Sequence, residues 1–256
     1  MVEGFKVELK DGIDLENALV VEAFPSVGVV STIAASFIVK TLGLQNIGCI
    51  KYPGAPPSAV IMEGVPYPPI RIYYKAQSCG PGGKCKKLVV LVSEFPIQPE
   101  HITSMGETIL DWCRDSRCDI IVSLEGLPTT ELALDQETRV FGVGANERML
   151  ELMGTLEVES VKNGVVMGVS GVLLTEGKSR DQDVICLLAD ADPRFPDSRG
   201  AVKLIEVIDR MLPHMDIETE PLRKDAEDLE TMIKESLEQS RRGQERPRDI
   251  PAHMYG

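Results

Sequence analysis

A chain of 256 residues, 43% of them hydrophobic, can form one large α/β domain or two small ones around a substantial core. Its 40 acidic and 27 basic side chains give a formal net charge of −13, which argues against non-specific nucleic-acid binding because phosphate contacts need a basic face. No stretch approaches the roughly 20 apolar residues that span a bilayer, and residues 1–14 lack the apolar core of a signal peptide, so we expect a cytoplasmic protein without nucleic-acid or membrane partners.

The first part of the chain predicts a strand, a turn and a helix, followed by further strands. Residues 18–24 form an apolar strand pattern, Pro25-Ser26 a turn, and residues 27–42 have the small and apolar side chains of a packed helix. Proline and glycine then separate three more strands, which we predict to pair as an antiparallel meander. These strands are residues 47–51, 59–62 and 70–75.

From residue 88 onward, predicted strands alternate with predicted helices, which is typical of a mostly parallel sheet. The strands are predicted at residues 88–93, 119–124, 139–143, 165–169 and 184–189. The helices are predicted at residues 99–117, 145–153 and 199–211. The fold class is therefore α/β, and we predict that residues 1–215 form a three-layer α/β/α sandwich with helices on both faces of the sheet.

Residues 216–242 are predicted to form a separate C-terminal helix. Four of its apolar residues alternate at steps of four and three, which makes a narrow seam of the coiled-coil type. The seam residues are Leu222, Ala226, Leu229 and Ile233. Because two heptads are too short to be stable alone, the helix either docks on the body, pairs within an oligomer, or binds another helical protein.

Residues 243–256 contain two prolines and no apolar periodicity, so we predict a flexible tail. The tail ends in a hydrophobic residue, a tyrosine and one further residue, namely Met254, Tyr255 and Gly256. Such an ending is a disordered terminus, packs against its own domain, or enters a pocket of a partner. In a partner's pocket, Met254 and Tyr255 would supply buried apolar area and Gly256 the terminal carboxylate.

Several motifs of nucleotide sites and hydrolases begin in this sequence, but none is complete. Gly177-Lys178-Ser179 resembles the end of a phosphate-binding loop, yet the preceding glycine is one residue too far away and the intervening residues are apolar. Gly142-Val143-Gly144 resembles the start of a dinucleotide fingerprint whose third glycine position holds Glu147. The segment Gly168-Val169-Ser170-Gly171 lacks the spacing of a nucleophile elbow, so we assign Ser170 to a tight turn.

Titratable side chains give no firmer indication of catalysis. The histidines lie at predicted helix ends and in the tail, where solvent exposure explains them: His101, His214 and His253. Some carboxylates lie near predicted strand ends, where α/β enzymes place catalytic groups but where turns and helix caps also use acids. These are Glu94, Glu125, Asp190 and Asp192.

The six cysteines are expected to be free thiols. Their closest pairs are separated by five and four residues, whereas a zinc knuckle needs two. Cys79 and Cys85 bracket a glycine-rich loop, so a loop-closing disulfide is the alternative there. We predict no catalytic residues, no metal site and no cofactor.

Four segments, in this order along one chain, resemble the archaeal proteasome assembly chaperone family, whose members are related to the second eukaryotic proteasome assembly chaperone. The segments are residues 23–28 (AFPSVG), 124–129 (LEGLPT), 168–174 (GVSGVLL) and 192–197 (DPRFPD). The resemblance implies a phosphorylase-type α/β/α domain that self-associates. One departure is Phe24-Pro25-Ser26, where relatives commonly have a Trp-Pro-Asp type of sequence.

The resemblance also implies a role for the tail. Some archaeal members carry a C-terminal helix followed by a hydrophobic-tyrosine-any (HbYX) ending, and the same ending on proteasome-activating ATPases docks between α-ring subunits of the 20S proteasome. Met254, Tyr255 and Gly256 match that pattern. We therefore predict a non-enzymatic, ATP-independent assembly chaperone or core-particle activator. Its expected partners are the 20S α subunits and further copies of itself, with a tetramer among the candidate assemblies.

The alternative function is that of a phosphorylase- or hydrolase-like enzyme. Such an enzyme would use loops at the carboxyl edge of the sheet. It predicts a deep polar pocket with converging carboxylates at that edge, and a flat or apolar mouth there would count against it.

Overall fold

The computed structural model describes residues 4–76, 87–129, 138–212 and 217–224. Within these ranges the strands are β1 (Lys6–Leu9), β2 (Ala18–Ala23), β3 (Gln45–Lys51), β4 (Val60–Met62), β5 (Val65–Tyr67), β6 (Ile70–Lys75), β7 (Lys87–Ser93), β8 (Ile120–Pro128), β9 (Val140–Gly144), β10 (Glu159–Ser160) and β11 (Val184–Ala191). The α-helices are α1 (Val30–Thr41), α2 (Ile102–Asp115), α3 (Glu147–Thr155), α4 (Gly168–Ser179) and α5 (Ser198–Met211). Short 3₁₀ turns precede α1 and α2, at Val27–Val29 and Pro99–His101.

Nine of the described strands form one mixed sheet in the order β1-β3-β6-β7-β2-β8-β11-β9-β10. The four central strands, β7, β2, β8 and β11, run parallel to one another. Antiparallel pairings flank this centre, through β6, β3 and β1 on one side and β9 on the other. Every residue of β2 and of β11 is buried, as expected for parallel strands covered on both faces.

Helices cover both faces of the sheet and create two hydrophobic cores. Side chains of α1, α3 and α5 pack on one face, and side chains of α2 and α4 pack on the other. The alternation along β2 serves both layers, because Leu19 and Val21 enter the first core whereas Ala18 and Val20 enter the second. The predicted three-layer α/β/α fold is confirmed, with its parallel pairings concentrated at the centre of the sheet.

Most predicted elements are present. The strand predicted at residues 70–75 coincides with β6, and the predicted meander is present where β3 pairs antiparallel with β6. The strand predicted at residues 59–62 corresponds to β4, but it leaves the main sheet and forms a separate hairpin with β5. Three short strands, β1, β5 and β10, had no counterpart in the sequence prediction.

The strand predicted at residues 165–169 is wrong. The helix α4 begins at Gly168, whose φ of +73° makes the change of direction that a residue with a side chain rarely allows. Ser170 therefore lies in the first turn of a helix and not in a tight turn. The segment Gly177-Lys178-Ser179 is the end of the same helix, which agrees with the rejection of a phosphate loop there.

Residues 217–224 are the described part of the predicted C-terminal helix. Residues 220–224 are helical, and Leu222 is 6% exposed because it packs into the core on the α1, α3 and α5 face. The other seam residues, Ala226, Leu229 and Ile233, lie outside the described residues, as do Met254, Tyr255 and Gly256. The division into a domain of residues 1–215, a helix of residues 216–242 and a tail of residues 243–256 stays a prediction.

Two further observations concern thiols and membranes. In the described ranges Cys49, Cys113, Cys118 and Cys186 are free, whereas Cys79 and Cys85 lie outside them. Of the helices described, none combines the length and the apolar character needed to cross a bilayer.

Candidate functional site

Four polar side chains meet on the face of the sheet that α2 and α4 cover. Glu22 belongs to β2, Ser123 and Glu125 to β8, and Ser170 to the first turn of α4. The parallel register of β2 and β8 places Glu22 beside Ser123. Ser123 and Glu125 share a face with Ile121 because alternate residues of a strand point the same way. We call these four residues the polar cluster.

The polar cluster is a continuous chain of short oxygen–oxygen contacts. Ser123 Oγ lies 2.5 Å from Glu22 Oε2 and 2.7 Å from Ser170 Oγ. Ser170 Oγ in turn lies 2.5 Å from Glu125 Oε1. The second carboxyl oxygen of Glu22, Oε1, accepts a hydrogen bond of 3.1 Å from the backbone N–H of Phe24. The cluster therefore joins β2, β8 and α4 through hydrogen bonds.

Burial determines the electrostatics of Glu22. Removal from water raises the pKa of Glu22 from 4.5 to about 8. A hydrogen bond that Ser123 would donate to the ionised carboxylate opposes this shift, the charge of Glu125 adds to it, and the N–H of Phe24 opposes it again. Glu22 thus has the properties of a carboxyl group that keeps its proton at neutral pH.

Glu125 is less buried than Glu22, and its pKa is raised less. Desolvation raises the pKa of Glu125 from 4.5 to about 7, while hydrogen bonds from Ser170 and from the backbone of Gly126 oppose the shift. On the adjacent strand β11, burial raises the pKa of the Cys186 thiol well above 9.0, and the charges of Glu125 and Glu22 add to that effect. The thiol is therefore neutral beside the cluster.

The polar cluster differs from the site that the enzyme alternative predicts. Two carboxyl groups do converge, but Glu22, Ser123 and Ser170 are almost fully buried beneath α4. Their hydrogen-bonding atoms are also committed to one another. The cluster thus serves as an internal connection between the sheet and α4, and its serine hydroxyls do not face solvent.

The other carboxylates singled out from the sequence form ion pairs. Asp190 is buried and bonds both the backbone N–H and the Nε of Arg139, at 3.1 and 3.3 Å. Glu94 pairs with the buried guanidinium of Arg71. Asp192 accepts from the backbone N–H of Arg194 and pairs with its guanidinium at 2.6 Å, which lowers the pKa of Asp192. Ion-pair and turn roles account for these acids.

His101 has an aromatic environment. Its ring centroid lies 5.9 Å from that of Phe5 and 5.5 Å from that of Tyr52. Neither neighbour supplies a carboxylate that would orient the imidazole as a catalytic base. His214 and His253 lie outside the described residues.

The carboxyl edge of the parallel strands carries exposed apolar side chains. Phe95 follows β7, Val29 follows β2 and Phe195 follows β11, and they are 38%, 39% and 42% exposed. At the same edge Gly126 lies so close to the 3₁₀ turn after β2 that a Cβ there would be 2.1 Å from the carbonyl oxygen of Val27. The described part of this edge therefore exposes apolar side chains, and the acids Glu94 and Asp192 beside them are held in ion pairs, which counts against the enzyme alternative.

The segments that carry the family resemblance contact one another. The backbone N–H of Asp197 donates a 2.8 Å hydrogen bond to the carbonyl oxygen of Gly28, which joins residues 23–28 to residues 192–197. Gly126 packs on the first of these segments, and Ser170 bonds Glu125. All four segments thus act in packing the carboxyl half of the sheet against α1, α4 and α5.

A cavity of about 940 Å³ lies beside β9 and β10, between α4 and residues 161–166. Its floor is mainly apolar, with Phe141, Val143 and Leu174 among the lining residues, and Lys162 and Lys178 are its basic lining residues. Glu159 is the one acidic residue in the described lining, so the cavity has no converging carboxylates. In addition, the described ranges contain no group of three or more histidine, cysteine, aspartate or glutamate residues arranged to hold a metal.

Sequence reasoning selected Glu125 but missed Glu22, Ser123 and a structural role for Ser170. A signal was present, because Glu22 interrupts an otherwise apolar strand sequence and Ser123 follows the apolar run of residues 120–122. A lone polar residue in a buried strand needs a partner, and adjacent parallel strands can supply it. The register that brings these two residues together is not contained in either strand alone.

The fold and the internally bonded cluster define a three-layer α/β/α protein whose central carboxyl groups connect sheet and helix. The chain belongs to the PAC2 family, because the model of that family matches residues 20–237. This membership confirms the family to which the four sequence segments pointed. A relative in Methanocaldococcus jannaschii, an uncharacterized protein, is 34% identical over 239 residues, which cover 93% of each chain.

Solved structures extend the comparison. The crystal structure of Pyrococcus furiosus PbaA, an archaeal homolog of proteasome-assembly chaperone, is 29% identical with a TM-score of 0.78, and the match covers 95% of this chain and 97% of that chain. Pyrococcus furiosus PbaB, an archaeal proteasome activator, has a TM-score of 0.77 over 92% of this chain and 99% of its own. At 18% identity, PbaB shows the shared fold alone.

Proposed function

We propose that this protein is a non-enzymatic, ATP-independent proteasome-binding protein of the cytoplasm, acting as an assembly chaperone or as a core-particle activator. The observation that carries the proposal is the similarity to PbaA, which extends over nearly the full length of both chains. The side chains of the polar cluster bond one another, and the described part of the carboxyl edge exposes apolar side chains; both observations support a binding role over catalysis.

The proposed contact with the proteasome is the tail. Met254 and Tyr255 enter a pocket between adjacent 20S α subunits, and the carboxylate of Gly256 pairs with a cation of that pocket. A tyrosine suits this position because its ring buries apolar area while its hydroxyl keeps a hydrogen-bonding partner. A flexible tail of residues 243–256 has a root-mean-square reach of roughly 20 Å, which lets the body remain outside the pocket.

Homo-oligomerisation is part of the proposal because one tail buries little surface. Several tails on one assembly gain effective concentration when they face several pockets, and this raises affinity by about 10² to 10⁴. The seam helix would then present the tails in a common direction. Burial of Leu222 on the body supports a fixed starting point for that helix.

The test is a binding comparison by surface plasmon resonance with archaeal 20S particles and with free α subunits. The full chain, a Tyr255→Ala variant and a His253→Ala control are compared, since the control changes the same tail outside the HbYX residues. Tyr255→Ala should abolish binding and His253→Ala should preserve it. Equal binding by all three proteins would exclude the tail as the contact with the proteasome. No binding by any of them would favour the enzyme alternative.

A further inference from the structure

The polar cluster cannot satisfy its hydrogen bonds when both of its carboxyl groups are ionised. Its three oxygen–oxygen contacts, of 2.5, 2.7 and 2.5 Å, each need one proton. The hydroxyls of Ser123 and Ser170 supply one proton each, and an ionised carboxylate supplies none. One contact would then bring two oxygen lone-pair regions together inside the protein. The geometry therefore requires a third proton.

We propose that the polar cluster is a proton-binding site: Glu22 is held as a neutral carboxylic acid at neutral pH, and its proton locks the first turn of α4 to β2 and β8. In this arrangement Glu22 Oε2–H donates to Ser123 Oγ, and Ser123 donates to Ser170 Oγ. Ser170 then donates to Glu125 Oε1, so all three contacts carry one proton each.

The surroundings assign the proton to Glu22 and the negative charge to Glu125. Glu22 is 1% exposed, and its Oε1 already accepts from the N–H of Phe24, which leaves Oε2 as the hydroxyl oxygen. Glu125 is only partly buried, and a backbone hydrogen bond at Gly126 favours its charged form. Burial raises the pKa of both groups, and that of Glu22 is raised more.

No described cation offsets a negative charge on Glu22. On β7 the neighbouring residue is Leu91, and on β11 the nearby titratable group is the neutral thiol of Cys186. The remaining charge that acts on Glu22 is that of Glu125, which disfavours a second negative charge. An ionised Glu22 would thus be a buried, unpaired charge, which is costly in the protein interior.

The position of Ser170 explains why the proton would hold α4 in place. The N-cap residue Met167 makes no capping hydrogen bond with its side chain, and Gly168 has a positive φ. The hydrogen bonds of Ser170 with Ser123 and Glu125 therefore connect this first turn to the sheet. Loss of the proton removes one of the three hydrogen bonds of the polar cluster. When the first turn of α4 then moves away from the sheet, water can reach the ionised carboxylate.

The proton site makes the folding equilibrium depend on pH in a defined direction. The folded pKa of Glu22, about 8, lies above its unfolded value of 4.5, so between these values the folded state holds a proton that the unfolded state releases. Its stabilising contribution is fully present below 4.5 and is lost as the pH rises toward 8. Within that interval the folding equilibrium constant should fall about tenfold for each pH unit because of this group.

Infrared spectroscopy tests where the proton is. At neutral pH the unsubstituted protein should show the carbonyl stretching band of a neutral carboxylic acid. The band should weaken in Glu22→Gln, where the amide can still donate to Ser123 and accept from Phe24 and where Glu125, with a pKa of about 7, is still partly protonated. It should persist in Glu125→Gln. Absence of the band in the unsubstituted protein, or its loss in Glu125→Gln, would overturn the proposal. If Glu22→Gln does not fold, the band in the unsubstituted protein and in Glu125→Gln still tests the proposal.

Urea unfolding and hydrogen exchange test the lock. The unfolding free energy of Glu22→Gln should fall less steeply with pH than that of the unsubstituted protein, and the dependence that remains should come from Glu125, whose pKa is about 7. Glu8→Gln should keep the full dependence, because Lys51 and Lys6 hold the pKa of Glu8 at about 2. In the unsubstituted protein, amide exchange in the first turn of α4 should accelerate with pH beyond the intrinsic tenfold per unit. If Glu22→Gln shows the same excess acceleration, the proton does not lock α4.

Discussion

The carbonyl oxygen of Gly28 accepts a 2.8 Å hydrogen bond from the backbone N–H of Asp197, and this bond joins the loop after β2 to the loop after β11. The contact is close because Gly28 has a φ of +62° and lacks a side chain; a Cβ there would lie 3.0 Å from Ala191 Cβ and 3.1 Å from the carbonyl oxygen of Asp192. Asp197 is itself buried and caps α5. The beginning of α1 and the beginning of α5 are thereby fixed to each other.

Replacing Gly28 by alanine should destabilise the fold by about 1–3 kcal/mol, since the new side chain meets a positive φ and three near neighbours. The measurement is the free energy of unfolding in urea. Gly154→Ala is the matched control: that glycine lies in α3, nothing is within 4 Å of its ideal Cβ, and alanine is the better helix former. A loss of stability in the control equal to that of Gly28→Ala would contradict the explanation.

Asp197→Ala should cost about 2 kcal/mol of stability, because it removes the N-cap of α5 and the acceptor of the Asp192 N–H at 3.1 Å. It also removes the 2.9 Å ion pair between Asp197 and Arg199. Asp197→Asn keeps the capping oxygen and should cost less than the alanine variant. Thermal unfolding of the three proteins checks this order, and equal losses for both variants would mean that capping is unimportant here.

Ser170→Ala should destabilise the protein by about 1–3 kcal/mol, since it leaves Ser123 and Glu125 short of a partner inside the protein. On the same helix, Thr175→Ala changes an exposed hydroxyl that bonds only the preceding turn of the helix, so its effect should stay within about 0.5 kcal/mol. Unfolding in urea at one pH compares the two variants. Similar effects at both positions would argue against a connecting role for the polar cluster.

The sequence predicted the elements whose ends are marked by local chemistry. Proline and glycine before Ile70 bound β6, and Pro25-Ser26 separates β2 from α1, so both boundaries could be read without the fold. The helix α4 was missed because three glycines give its sequence a low intrinsic helix propensity. Tertiary packing compensates for this low helix propensity, because Leu173 is fully buried and Gly106 of α2 allows a close approach of α4.

The polar cluster could not be predicted from the sequence for a different reason. Glu22 and Ser123 are 101 residues apart, and only the parallel register of β2 with β8 makes them neighbours. Ser170 reaches them because α4 crosses the sheet at that point. Long-range pairing of this kind follows from topology, and topology depends on the whole set of strands.

Removal of residues 254–256 should abolish binding to 20S particles while leaving the fold unchanged. The two hydrophobic cores of the described ranges are formed by residues between Phe5 and Leu222, so we expect circular dichroism and the unfolding midpoint to match those of the full chain. Native electrophoresis with 20S particles measures binding, and size-exclusion chromatography checks the oligomer. Retained binding after the deletion would place the contact on the body of the protein.

Substitution of the seam should separate assembly from docking. Leu229→Asp with Ile233→Asp introduces two charges into the predicted apolar seam, so we expect a smaller assembly by analytical ultracentrifugation. Each tail would remain intact, but the gain from several tails, about 10² to 10⁴ in affinity, would be lost. Glu230→Gln changes a position outside the seam and should preserve both assembly and affinity. If the seam variant keeps its assembly size and its affinity for 20S particles, another surface holds the subunits together. If the assembly becomes smaller and the affinity does not change, a single tail is sufficient for docking.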